Sequence, residues 1–201
     1  MGMDWASYYR KTGERPPRTT LLLALDRFDA EPPKDEPLFA VDLGCGGGRD
    51  TVEMLRRGWR VLACDAEVSA IAHLRSRDDI AEDAQLDTLV SRFEDAEWPV
   101  ADLINSGFAL PLCPPDRFPG LWARIVGSLK PGGRFSGQLY GQRDSWVGRD
   151  GMIFVSRPEL DEMLDGLEVE VLDEEEDDST TPRGEAKHWH VYHIVARKPH
   201  A

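Results

Sequence analysis

The chain has 201 residues, 41% of them hydrophobic and 30% charged, and a formal net charge of −13. That composition belongs to an ordinary globular chain long enough for one large α/β domain. The acidic balance, with no cluster of Lys and Arg, excludes nucleic acid as the expected partner. The opening "MGMDWASYYRKTGERPP" has no apolar segment of signal length, and the run Leu21 to Leu25 is too short to cross a bilayer. The expectation is a cytoplasmic protein with no membrane partner.

Cys45, Cys64 and Cys113 are odd in number and lack CxxC spacing, so reduced thiols are expected rather than a disulfide framework or a cysteine zinc site. Along the chain, "TTLLLALDRF" (19–28) sets Leu21, Leu22, Leu25 and Phe28 at helical spacing, with Thr19 or Thr20 available as a cap. "LFAVDL" reads as a buried strand, "RDTVEMLRRG" as a helix closed by Gly58, and "WRVLACD" as a second strand. A helix over "AEVSAIAHLRSR" follows, then strands over "LDTLVSRF" and "ADLINSG" and a helix over "FPGLWARIVGSL". The turn "KPGG" sets off a fifth strand, "GRFSGQLYG".

Strands alternating with helices imply parallel βαβ units. After the helix "RPELDEMLDGL", however, "EVEVLDEEE" and "HWHVYHIVARK" are joined by the acidic loop "DDSTTPRGE" without a helix, so they pair antiparallel. The expected fold is α/β: a Rossmann-like, seven-stranded, mostly parallel sheet with an antiparallel last strand and helices on both faces. Residues 1–35 read as a helical extension or lid over the site, and 36–201 as the domain. "DEEEDD" reads as a solvated loop, because the glycine and alternating oxygen ligands of a calcium loop are missing.

The stretch "AVDLGCGGGRD" (40–50) follows the first strand, where open parallel sheets collect ligands. Gly44, Gly46 and Gly48 form GxGxG; a dinucleotide fingerprint requires glycine at position 49, which is Arg49. Asp65 ends the second strand, where such folds set a carboxylate against ribose hydroxyls. Together these residues point to a nucleoside site.

"VDLGCGGGRD", "VLACD", "NSGFALPLCPP" and "LKPGGRF" resemble the class I S-adenosylmethionine-dependent methyltransferase family, from about Leu38 to Lys198. The ending "HWHVYHIVARKP" and the N-terminal "RPPRTTLLLALDRF" are similar to its small-molecule branch, which includes tellurite-resistance-type enzymes. The resemblance implies S-adenosylmethionine as cofactor, S-adenosylhomocysteine as product and a small-molecule methyl acceptor, with the enzyme a monomer or homodimer. It sets the methionine moiety against Gly44, Cys45 and Gly46, with Asp42 near the amino group. Asp65 takes the ribose and Ala66 lies beside it. Arg92 stands where many members carry an adenine-reading aspartate, which leaves Phe93, Glu94 and Asp95 as adenine contacts. Asn105 faces the methyl-transfer region, and Arg18 pairs with the cofactor carboxylate or lies on the surface.

For catalysis, the sulfonium carries the driving force, and a general base is needed only for a poorly acidic acceptor. The candidates are His188, His190 and Tyr9. His188 and His190 share one face of the last strand, with His193 on the other; each histidine also fits a strand-face role without chemistry. Trp5, Tyr8 and Tyr9 form either a lid or a packing staple. Phe108, Tyr140 and Trp146 lie at the ligand edge, with core packing as their default role, and no residue spacing indicates a metal. Two alternatives stay open: a nicotinamide-dependent oxidoreductase and a non-catalytic S-adenosylmethionine-binding regulatory module. The acceptor atom is not specified.

Overall fold

The computed structural model describes residues 15–181 and 184–200. The elements in order are α1 (Thr19–Asp29), β1 (Phe39–Leu43), α2 (Arg49–Arg56), β2 (Arg60–Asp65), α3 (Val68–Arg75), β3 (Leu86–Val90), β4 (Ala101–Ser106), α4 (Phe118–Ser128), β5 (Leu129–Tyr140), α5 (Arg157–Met163), β6 (Glu168–Thr180) and β7 (Ala186–Arg197). They form one seven-stranded sheet of order β3-β2-β1-β4-β5-β7-β6. β7 runs antiparallel to both β5 and β6, and the other pairings are parallel. The expected fold is therefore the observed one.

The central strands are apolar along their length because helices cover both faces. On one face α1 and α2 bury Leu21, Leu25, Phe28 and Met54 against Ala40, Val61, Leu103 and Val195, and α3 adds Ile71 and Leu74 against Ala63. On the other, α4 and α5 bury Phe118, Leu121, Trp122, Ile125 and Leu160 against Val41, Ile104, Phe135 and Ile194. Arg134, 3% exposed, ties α1 to the sheet by pairing with Glu31 and Glu170 while its guanidinium lies 4.4 Å from the Phe28 ring centroid.

Three local expectations are corrected. α1 has no side-chain cap: Arg18 is the capping residue, and Thr20 is buried, where its hydroxyl accepts from Gln138 Nε2 at 2.7 Å. "KPGG" is not a separate turn but part of β5, where Gly132 has φ +77 and the register against β4 shifts between Ala101 and Leu103.

The third correction is larger: "DEEEDD" is not a loop but part of β6, paired to β7 from Asp173↔His193 to Asp178↔His188. Hydrogen-bonding partners placed across from the carboxylates offset their repulsion. His190 Nε2 lies 2.9 Å from Glu174, His188 contacts Asp178 and Glu176, and Arg143 bridges Glu174 and Glu176. The charge then marks a sheet edge that resists pairing with another chain.

Candidate functional site

The turn between β1 and α2 lies beyond the carboxyl ends of the central strands, where the order reverses between β1 and β4. Gly44, Gly46 and Gly48 all have positive φ, at 71°, 53° and 83°, a region that L side chains rarely adopt. Two of these glycines are also demanded by the protein's own packing. A Cβ on Gly44 would lie 2.3 Å from Ala109 Cβ, and one on Gly48 2.3 Å from Leu74 Cδ1.

The turn's amides face inward. Gly44 N and Cys45 N both donate to the Cys64 carbonyl at 2.8 and 3.0 Å, and Gly48 N donates to the Cys45 carbonyl at 3.0 Å. Gly46 N donates to Asp65 Oδ2 at 2.9 Å, and Glu67 N to the other oxygen of that carboxylate at 2.9 Å. A pyrophosphate cradle needs such amides aimed at the ligand. Here they are committed to the protein, and the turn is flanked by carboxylates.

Asp42, 1% exposed, accepts from Thr51 Oγ1 at 2.6 Å and from Asn105 Nδ2 at 2.9 Å. Asn105 Nδ2 also lies 3.2 Å from Asp50 Oδ2, and its oxygen accepts from Ser136 Oγ at 2.7 Å. A buried polar chain thus crosses the tips of β1, β4 and β5. Burial first, and then the neighbouring Asp50 charge, push the Asp42 carboxyl up to about 7. Asn105 is fully engaged in this chain and is not part of the cleft wall, which corrects its expected place facing the methyl group. It positions Asp42 and Asp50 instead.

A cleft of about 1070 Å³ opens over the turn, and its wall includes Asp42, Gly44, Cys45, Gly46, Asp65 and Ala66. Phe93 and Glu94 line it too, as does Arg92, whose Nε holds the buried Glu94 carboxylate at 2.5 Å. Asp95 does not; it pairs with Arg117. Arg18 is at the cleft and not on open surface. Its backbone N donates to Asp50 Oδ1 at 3.0 Å, and its guanidinium lies 3.9 Å from the same carboxylate and 4.4 Å from the Phe108 ring centroid.

Phe108 is the one non-glycine among the described residues with positive φ, at 59°. Such backbone costs about 1–3 kcal/mol and clusters at ligand sites. Its amide donates to Gln138 Oε1 at 3.2 Å, and a Cβ on the preceding Gly107 would lie 2.5 Å from Arg18 Nε, so the loop after β4 is gripped from both sides.

Beyond Phe108 the same cleft continues along β5 and β7, past Tyr140, Trp146, Arg149, Glu175, Trp189 and Val191. His188 and His190 lie on the opposite face of β7 and are not in this wall. The Arg143 amide donates to His190 Nδ1 at 3.0 Å, which places the ring proton on Nε2, toward Glu174. Neither nitrogen is then left to accept a substrate proton. Hydrogen bonds to the Asp178 and Glu176 carboxylates raise the His188 pKa and hold the ring on the hairpin. Both histidines serve the hairpin, which corrects their candidacy for catalysis. Tyr9, with Trp5 and Tyr8, lies outside the described residues.

Burial raises all three thiols, Cys64 to about 12 and Cys113 to about 11, so none is a ready nucleophile. Sequence reasoning missed Asp50, Thr51, Gln138, Asp144, Arg149 and Lys187. Polar residues spaced apart in the chain left no pattern to read. The described residues include no group of three or more His, Cys, Asp or Glu able to hold a metal ion, and no helix long and apolar enough to cross a membrane.

The fold is that of the Rossmann-like methyltransferases. Residues 40–133 match the family model described as a methyltransferase domain. Many solved structures share the fold, three of them as follows. The first is TehB from Haemophilus influenzae (TM-score 0.77, 18% identity, 96% of this chain and 67% of that one). The second is 1,6-didemethyltoxoflavin-N1-methyltransferase from Burkholderia thailandensis, with bound 1,6-didemethyltoxoflavin and S-adenosylhomocysteine (0.65, 22%, 98% and 86%). The third is the N-methyltransferase NodS from Bradyrhizobium japonicum, in complex with S-adenosylhomocysteine (0.66, 14%, 96% and 88%). No curated protein matches the sequence. The chain thus carries a methyltransferase-domain match over residues 40–133 and shares the fold of solved methyltransferases, in line with the resemblance of the glycine turn and its flanking motifs.

Proposed function

We propose that the protein binds S-adenosylmethionine in the cleft over the glycine turn and transfers its methyl group to a small molecule held beyond Phe108. One observation carries this reading. The amides of Gly44, Cys45, Gly46 and Gly48 are donated within the protein, while Asp42, Asp50, Asp65 and Glu94 surround the turn. That environment suits a ligand carrying an ammonium and a sulfonium and opposes the pyrophosphate of a nicotinamide cofactor. The solved relatives named above with S-adenosylhomocysteine support the same assignment.

In this reading Asp42 receives the amino group, Asp65 the ribose hydroxyls, and Phe93 and Glu94 the adenine. Arg18 takes the methionine carboxylate, held in place by Asp50 and Phe108. When bound, S-adenosylmethionine supplies an activated methyl group. The chain's own task is to align the acceptor and exclude water. Arg15 and Arg18, just ahead of α1, line the cleft and help to enclose the bound cofactor. A small acceptor fits the net charge of −13, and three buried free cysteines fit a reducing cytoplasm.

Calorimetry decides the cofactor: S-adenosylhomocysteine gives saturable heat and NAD gives none. The reverse result sinks the proposal. Release of S-adenosylhomocysteine from S-adenosylmethionine in the presence of acceptors separates an enzyme from a binding module.

A further inference from the structure

The acceptor lobe contains an aromatic cage that the protein fills itself. The Lys187 Nζ lies 4.1 Å from the Trp146 ring centroid, 4.3 Å from Trp189 and 5.0 Å from Tyr140. Its ammonium pairs with Asp144, and both side chains are wholly buried. Asp144 is itself fixed by the amides of Trp146 at 2.9 Å and His190 at 3.2 Å. Three rings around a cation are the usual means of binding a cationic ligand. Here that position is taken, and a second cation would meet the first.

The same rings also present surface to the cleft. Trp146 and Trp189 stand 5.9 Å apart between centroids, Tyr140 lies 6.1 Å from Trp189, and Phe108 extends the wall 6.5 Å further toward the glycine turn. The wall is rigid because the Lys187–Asp144 pair pins its back, and at its front Arg149 lies 4.2 Å over Trp146. On the far side stand Glu175, which is held by His193 Nε2 at 2.8 Å, and Glu185. Rigid ring surfaces select flat partners through offset or edge-on stacking. Arg149 adds a cation at the rim that planar anions match.

We propose that the acceptor is a planar aromatic or heteroaromatic molecule, bound on the Phe108–Trp189–Trp146 wall with its charge toward Arg149 and methylated as its anion. This rests on the methyltransferase reading above. The acceptor's proton leaves to solvent on ionisation. A lone pair on its O, N or S then forms the bond to the methyl carbon while the C–S bond breaks and its electron pair stays on sulfur. Anion and sulfonium neutralise one another as the bond forms.

The experiment uses the full-length protein saturated with S-adenosylhomocysteine, so failure to bind that product would count against the underlying reading alone. Tryptophan fluorescence is titrated with 4-nitrophenol and 4-nitrothiophenol at mildly alkaline pH, and with tetramethylammonium and selenite. The expected result is saturable quenching by the aryl anions only. Trp189→Ala weakens aryl binding about tenfold or more, as loss of a stacking partner does, Trp189→Phe restores most of it, and S-adenosylhomocysteine affinity is unchanged in both. The double variant Lys187→Ala/Asp144→Asn empties the cage without leaving a lone charge, and it gains tetramethylammonium binding that the natural protein lacks. Absence of aryl binding to the product complex, or tetramethylammonium binding by the natural protein, overturns the proposal.

Discussion

The two halves of the sheet are built by different rules. From β3 to β4 the site is made of backbone and strand-tip carboxylates: the Gly44–Gly48 turn, Asp42 ending β1 and Asp65 ending β2. Each comes from a short contiguous motif. From β5 to β6 it is made of side chains brought from far apart, with Tyr140, Asp144 and Trp146 near the end of β5 meeting Lys187 and Trp189 of β7. The first half has little freedom to vary, because left-handed glycines and buried carboxylates leave few substitutes. The second can exchange rings and charges while the ladder stays intact, and that freedom is what acceptor choice requires.

Breaking the second half without touching the first gives the largest expected effect. Lys187→Met leaves Asp144 buried and uncompensated, which destabilises by about 3–5 kcal/mol. Denaturant unfolding should show that loss, while S-adenosylhomocysteine affinity of the folded variant stays as it was. A matching fall in affinity would mean that the halves are energetically one unit. Breaking the first half at Gly44→Ala combines left-handed strain with a clash against Ala109, a cost of roughly 2–4 kcal/mol in stability, and cofactor binding should fall with it.

A gentler cut is Asp65→Ala. It should reduce S-adenosylhomocysteine affinity by about 1–3 kcal/mol, the worth of hydrogen bonds to a charged group, with acceptor binding to the remaining complex unaltered. Unchanged affinity in calorimetry would remove Asp65 from the ribose.

Asp42 sharpens the contrast through pH. Its folded pKa is raised from 3.8 to about 7 by burial and Asp50. In the free protein the protonated form is therefore preferred, and Asp42's contribution to stability is full below about pH 4 and lost as pH rises through about 7. An arriving ammonium requires the carboxylate. Affinity for S-adenosylhomocysteine should then climb with pH toward about 7, by at most about tenfold per unit, with proton release visible as buffer-dependent heat. A flat profile would detach Asp42 from the amino group.

The smallest effect belongs to the acidic hairpin. His188 is raised by Asp178 and Glu176, so its contribution is present below its ordinary 6.5 and lost as pH rises through its folded value. Glu176, held down to about 2 by Arg143 and His188, contributes above its ordinary 4.5. A His188→Gln variant should melt slightly lower than the natural protein between these two pH values, with the difference fading as pH rises through the folded value of His188. A difference in turnover would return His188 to the chemistry.

The alternation of strand and helix signals, the antiparallel ending and the GxGxG phasing were legible because each is a periodicity or a local spacing. Hairpin chemistry was less so. "DEEEDD" carries the composition of a solvated loop, and only pairing with "KHWHVYH" makes it a strand, because its stabilising hydrogen-bonding partners lie on another segment. The histidines misled for the same reason: alternation placed His188 and His190 on a common face but could not say that this face looks away from the cleft. Asn105 was placed at the right strand tip, yet its direction depends on Asp42, Asp50 and Ser136, contributed by α2 and two neighbouring strands.

The sequence by itself determined the fold and the glycine turn on which the proposed methyl donor rests, since both depend on residues whose backbone conformation or strand position is set by near neighbours. The tertiary structure alone decided which amides of the turn face inward, that Lys187 fills its own aromatic cage, and what shape the acceptor wall takes. Those features depend on burial and on contacts between residues far apart in the chain, and a one-dimensional pattern does not encode the direction in which a side chain meets such partners.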